Sequence, residues 1–205
     1  MNKRISIAEY PLMEHYYTIQ GEGYNTGKAA YFIRLGGCDV GCVWCDVKDS
    51  WDADKHPKHN IVSFIEMVEN AGATRVVLTG GEPAMYDLKP LTDAFRFIRK
   101  ELFIETSGAY QITGDWDWIC VSPKKFKAPL KTELQKANEL KIIVFNQSDF
   151  DWALEHSKSV SKECKLFLQP EYSVQHRVLP GIIDFVKAHP EWQISLQTHK
   201  VMQIP

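Results

Sequence analysis

The chain has 205 residues, 44% of them hydrophobic and 24% charged, with 24 Lys and Arg against 26 Asp and Glu for a formal net charge of −2. That balance describes one globular domain, residues 1–205, built on a single core. It excludes a membrane-spanning protein, since no stretch approaches the roughly 18 apolar residues a span needs. It also offers no basic block for non-specific binding to nucleic acid. Five cysteines, an odd number, and no apolar leader argue against a disulfide framework and for the cytoplasm.

In chain order, Ala29–Leu35 reads as a first strand and runs directly into a cysteine-rich loop at 36–46. Asp46–Asn60, rich in Asp, Lys and His, is the expected flexible loop. Ile61, Phe64, Ile65 and Val68 mark one face of a helix that stops before Gly72. Arg75–Thr79 is a buried strand ended by Gly80-Gly81-Glu82-Pro83, and Leu88–Lys100 a second helix. Further strands are expected at Leu102–Thr106, Trp118–Val121, Lys141–Phe145, Lys165–Gln169 and Gln193–Leu196. Helices are expected at Leu130–Leu140, Phe150–Ser157 and Gln175–His189. This alternation predicts right-handed βα units and a mainly parallel sheet, an α/β fold. Chemistry in such folds gathers at the carboxyl ends of the strands. The cysteine loop, the Gly80–Pro83 turn, Glu105-Thr106-Ser107-Gly108, Ser122-Pro123-Lys124 and Gln169-Pro170-Glu171 all fall there.

Cys38, Cys42 and Cys45 follow C-x3-C-x2-C spacing without a nearby fourth cysteine. A [4Fe–4S] cube normally takes four thiolates, so three would leave one iron open to a small molecule. The alternative is a zinc site completed by His56 or His59, although structural zinc loops usually pair two C-x2-C elements. Cys120 and Cys164 stand alone in apolar surroundings and read as small core hydrophobes. Gly80-Gly81-Glu82-Pro83 is by itself a common tight turn. Beside a three-cysteine loop it gains a second meaning. Its glycines let backbone approach a ligand closely, and Glu82 can accept from an ammonium.

The cysteine loop, with Trp44 before its third cysteine, and the Gly-Gly-Glu-Pro turn together resemble the radical S-adenosylmethionine (SAM) superfamily. Thr18-Ile19-Gln20-Gly21-Glu22-Gly23, Thr79, Glu105–Gly108, Ser122–Lys124, Gln169-Pro170 and Gln197-Thr198-His199-Lys200 extend the likeness over the whole chain. They resemble the 7-carboxy-7-deazaguanine synthase family. The resemblance implies a partial, modified (β/α) radical-SAM barrel in one domain. It implies ring contraction of 6-carboxy-5,6,7,8-tetrahydropterin to 7-carboxy-7-deazaguanine with loss of ammonia, for queuosine and related 7-deazapurines. The reduced cluster would cleave SAM to a 5′-deoxyadenosyl radical that takes hydrogen from C6 of the pterin.

By the same resemblance, Cys38, Cys42 and Cys45 hold the cluster. Trp44, Cys45, Asp46, Gly81, Glu82, Ser122, Pro123, Lys124, Gln169, Pro170, Glu171 and Tyr172 meet SAM. Ile19, Gln20, Gly21, Glu22, Arg34, Thr79 and Pro205 meet the pterin, with Arg34 suited to its carboxylate. Many members carry Cys-Asp-Thr after the loop, the threonine helping to hold Mg²⁺. Here Cys45-Asp46-Val47 lacks that ligand atom, so Mg²⁺ is either dispensable or held through substrate, water and another side chain, with Asp49 and Ser50 the nearby options. The resemblance further implies a homodimer and a flavodoxin-like electron donor. A small radical SAM activase acting on a partner protein shares the cysteine loop but leaves both chain ends unexplained. The tail 197–205 is expected to close the substrate pocket, with Pro205 offering its carboxylate to the pterin. A tag added after Pro205 is then expected to raise the Michaelis constant more than a tag at Met1, and equal constants for the two would refute it.

Overall fold

In a computed structural model, residues 8–205 are described. Among these residues nine strands form one sheet: β1 (Glu9–Ile19), β2 (Ala29–Leu35), β3 (Lys58–Asn60), β4 (Arg75–Gly80), β5 (Glu101–Thr106), β6 (Trp118–Val121), β7 (Glu139–Val144), β8 (Lys165–Pro170) and β9 (Trp192–Ile194). Their order across the sheet is β3-β1-β2-β4-β5-β6-β7-β8-β9. From β2 to β9 every neighbouring pair is parallel, while β1 runs antiparallel to both β2 and β3. Among the described residues the sheet is not closed, with β3 and β9 at its edges, consistent with the expected partial radical-SAM barrel.

Helices α1 (Ile61–Asn70), α2 (Lys89–Phe97), α3 (Lys131–Lys136), α4 (Ser148–Ser157) and α5 (Gln175–Ala188) connect the strands, and α6 (Thr198–Met202) follows β9. α1 starts where the Asn60 side chain accepts from the Ser63 amide at 3.0 Å, and its Phe64 and Val68 are fully buried. The two faces of the sheet separate by simple alternation. Ile33, Leu35, Val76, Leu78, Leu102, Ile104, Leu140, Ile142 and Leu168 enter the main core with residues of the helices. Their sequence neighbours Arg34, Thr79, Glu105, Lys141, Ile143 and Gln169 line a cavity instead. Register keeps this second set together: Arg34 lies opposite Thr79, and Ile143 opposite Gln169.

Several sequence expectations need correction. Ala29–Leu35 is the second strand, because Glu9–Ile19 precedes it. The Asp46–Asn60 stretch contains 3-10 turns at Lys48–Trp51 and Ala53–Lys55 and the edge strand β3. α2 stops at Phe97, since Arg99 takes a left-handed conformation (φ 58°) and the Lys100 amide returns to the Phe95 carbonyl at 3.0 Å. α3 stops at Lys136 because Glu139 and Leu140 pair with both β6 and β8. β7 therefore starts two residues early, and β9 is Trp192–Ile194 rather than Gln193–Leu196.

Candidate functional site

The cysteine loop leaves β2 through Gly36 and Gly37 and is held on two sides. Gly37 (φ 99°) donates to the Ser50 carbonyl at 2.6 Å, and the Cys38 amide to the Trp51 carbonyl at 3.1 Å. From the other side, the Gly81 amide donates to the Leu35 carbonyl at 2.9 Å and the Glu82 amide to the Gly37 carbonyl at 2.8 Å. Within the loop, Asp39 is tied to Lys127 at 2.7 Å and to the Tyr110 hydroxyl. A side chain at Gly81 has no room, because a Cβ there would stand 2.4 Å from the Gly37 carbonyl oxygen and 2.7 Å from Cys38 Cβ.

All three cysteines of the loop reach the cavity wall, Cys42 buried and Cys38 and Cys45 half-buried. Burial pushes the Cys42 thiol up to about 11 and the Cys38 thiol up as well, and the neighbouring cysteines push the same way. Thiolates at these positions would need the positive charge of a bound metal centre to offset that burial. Among the described residues no three His, Cys, Asp or Glu side chains converge as ligands of one ion do. Thiolates that each take a separate iron of a cube have no such need. His56 is engaged elsewhere, 2.9 Å from the Asp49 carbonyl, and His59 packs near Phe64. Cys120 and Cys164 are buried in the core region.

Glu82 is fully enclosed, and its carboxylate is saturated by the protein. Oε1 accepts from the Ala84 amide at 3.0 Å and the Thr106 hydroxyl at 2.5 Å; Oε2 accepts from the Ser107 amide at 2.8 Å and the Ser107 hydroxyl. Its side chain thus fastens the end of β4 to the end of β5. Further along, Lys124 donates to the Ser122 carbonyl at 2.7 Å and hydroxyl at 2.5 Å, with its ammonium 5.8 Å from the Trp44 ring. Burial lowers its pKa. Glu171 caps the turn after β8 through Ser173.

The other half of the wall is built by the two ends of the chain. Thr198 donates from its amide, 3.0 Å, and its hydroxyl, 2.9 Å, to the Gly21 carbonyl. Gln197 donates to Glu22 Oε1 at 2.8 Å. Gly21 must be glycine, since a Cβ would stand 2.3 Å from the His199 ring. Beneath this clasp, the buried Lys141 ammonium lies 2.6 Å from Glu22 and 3.0 Å from Glu105, and Gln20 donates to Glu105 at 2.7 Å. Burial alone would raise the Glu22 pKa, but the Lys141 ammonium overrides it and holds the carboxyl near 2. Arg34 pairs with Glu14 through Nε at 2.6 Å, donates to the Gly80 carbonyl at 3.4 Å, and lines the cavity.

Of the site residues expected from sequence, the cavity wall gathers Ile19, Gln20, Gly21, Glu22, Arg34, Cys38, Cys42, Trp44, Cys45, Asp46, Thr79, Gly81, Glu82, Ser122, Lys124, Gln169, Pro170, Glu171, Tyr172 and Pro205. Pro123 is buried behind the wall. Sequence reasoning assigned no individual role to Glu105 or Lys141, nor to His199 and Lys200 beyond their place in the tail expected to close the pocket, and all four line it. A lysine opening the apolar run Ile142-Ile143-Val144 was the signal for Lys141.

A family model described as "Radical SAM superfamily" matches residues 32–114. The 7-carboxy-7-deazaguanine synthase of Flavobacterium psychrophilum is 52% identical over 195 residues, covering 95% of this chain and 92% of that protein. The Synechocystis protein of the same name is 42% identical over 195 residues, covering 95% and 93%. The crystal structure of QueE from Escherichia coli superposes with a TM-score of 0.83 at 33% identity, covering 92% of this chain and 94% of that one.

Two outcomes follow from the packing and charge of the wall. Gly81→Ala is expected to cost about 1–3 kcal/mol and to lower the iron retained after anaerobic reconstitution. Undiminished iron at a lowered unfolding midpoint would locate the strain away from the loop. For Glu22, a folded pKa of about 2 against 4.5 unfolded stabilises the fold above pH 4.5, and this is lost as pH falls toward 2. Lys141→Met leaves Glu22 and Glu105 without their cation and removes what holds the Glu22 carboxyl low, so its pKa rises. That variant should lose about 3–5 kcal/mol near neutrality and regain part of it by about pH 5. Urea midpoints across that range test it, since the wild type gains nothing from this pair on the same acidification.

Proposed function

Because the chain belongs to the 7-carboxy-7-deazaguanine synthase family of the radical SAM superfamily, we propose that it converts 6-carboxy-5,6,7,8-tetrahydropterin to 7-carboxy-7-deazaguanine with release of ammonia. It is a radical SAM lyase of the queuosine and 7-deazapurine pathways. The observation that carries this reading is a single cavity with two unlike walls. One has three cysteines and the Gly80–Glu82 turn, and the other has the polar groups of Gln20–Glu22, Arg34, Thr79 and the C-terminal segment.

A [4Fe–4S] cluster on Cys38, Cys42 and Cys45, and SAM beside it, supply when bound the radical chemistry that no side chain here can perform. The chain's own residues bind and orient. Gly81 gives SAM a wall without a side chain, while Trp44, Asp46, Ser122, Lys124 and Gln169–Tyr172 form the rest of its site. Glu82 acts from beneath, holding that turn in shape with all its acceptor positions filled by protein donors.

At the substrate end, Glu22 is kept ionised by Lys141 and can accept from the ring N–H and exocyclic NH2 of a pterin. Gln20 and Glu105 are fixed around it by the same charge network, and Ile19 and Thr79 complete the edge of the ring site. Arg34 meets the carboxylate. The Pro205 end of the tail covers the pocket. The reading extends to a flavodoxin-like electron donor, a homodimer and a cytoplasmic setting, each supported by the resemblance alone.

An anaerobic assay with 6-carboxytetrahydropterin, SAM and a reductant is expected to yield 7-carboxy-7-deazaguanine and ammonia in equal amounts. Glu22→Gln should lower kcat/KM by roughly 10-fold to 100-fold, the worth of a charge-assisted hydrogen bond. SAM cleavage that ignores the pterin and waits for a protein partner would favour the activase instead. A colourless protein with stoichiometric zinc would end the radical reading altogether.

A further inference from the structure

A carboxylate drawn into a cavity needs a cation, and the family resemblance offers Mg²⁺ held partly by the residue two places after the third cysteine. The residues present do not fit that ion. Val47 stands there on the cavity wall without an oxygen in its side chain. Its carbonyl already accepts from the Ser50 amide at 3.0 Å and the Ser50 hydroxyl at 2.6 Å, which occupies both groups. Of the wall residues Asp46, Val47 and Ser50, Asp46 alone keeps an anionic oxygen free of protein hydrogen bonds. The Lys200 ammonium lies 3.6 Å from that carboxylate and would repel a divalent cation there.

Lys200 is itself well fixed. Its side chain is 24% exposed, and its ammonium sits 4.1 Å from the centre of the Tyr172 ring. The backbone beneath it is tied to the Gly21 carbonyl through Thr198 and to Gln197 through its own amide at 3.1 Å. At 3.6 Å the contact with Asp46 is longer than a hydrogen bond, so the ammonium keeps donors to give. Carboxylate oxygens offer enough lone pairs for a lysine and an arginine together.

We propose that Lys200 takes the place of a divalent cation in this chain. Its ammonium, with Arg34, binds the carboxylate of the substrate, and neither binding nor turnover needs Mg²⁺. This rests on the carboxypterin reading above.

Calorimetric titration of the cluster- and SAM-loaded protein, under anaerobic conditions, separates the possibilities without relying on turnover. The probes are 6-carboxytetrahydropterin and tetrahydropterin, which lacks the carboxylate. Lys200→Gln is expected to weaken the first by roughly 10-fold or more and the second by less than about twofold. Lys200→Arg should stay within about threefold of the wild type for both. Exchanging EDTA for millimolar Mg²⁺ should shift the wild-type affinity by less than about twofold. A severalfold gain on adding Mg²⁺, or an equal loss for both pterins in Lys200→Gln, would overturn the assignment of Lys200 while leaving the substrate intact. A wild-type protein that binds neither pterin would overturn the carboxypterin reading, and this inference with it.

Discussion

Four protein donors converge on the Glu82 carboxylate, and the whole cofactor wall depends on that buried cluster. A carboxylate taken out of water costs several kcal/mol unless its lone pairs are filled. Here they are filled by groups at the end of β5 and in the turn itself, so the ends of two parallel strands are fixed together. The backbone of the same residue then donates to the Gly37 carbonyl. One side chain therefore sets the distance between the Gly-Gly turn and the loop that bears the cysteines. The glycine beside it removes the only atom that would keep them apart.

A second buried charge does the same at the opposite wall. Lys141 has Glu22 and Glu105 as counter-ions, and those residues come from an N-terminal turn and from β5. The turn is held by that charge together with the stacking of Tyr24 on Trp118 and the Gly23 amide bond to Ser195, and the C-terminal segment is tied to the turn in its place. Dependence of this kind runs from the sheet outward. The parallel strands are the rigid part, and each polar element is attached to them by a named bond.

Much of this was legible in the sequence, and the failures have physical causes. The cysteine spacing, the Gly-Gly-Glu-Pro turn and the strand-end motifs are local chemistry, and nearly every residue they named reaches the cavity. β1 escaped notice because its inner half is buried while His15, Tyr17 and Ile19 alternate at a partly exposed edge, with a register shift between Leu12 and Glu14. The α3 pattern ran on into Leu140 because leucines at helical spacing do not reveal that two neighbouring strands will claim Glu139 and Leu140. Glu82 was legible as a site residue, but its saturation by Thr106 and Ser107 was not, being a contact between separate strands. Lys141 was visible as an oddity, but its two partners lie 119 and 36 positions away.

The clasp between Thr198 and Gly21 joins positions 177 residues apart. On a ribosome adding about 5–20 residues each second, the cysteine loop emerges many seconds before the segment that completes the pocket. Synthesis thus has a built-in order: the three thiols leave the ribosome while the segment that completes the second wall does not yet exist.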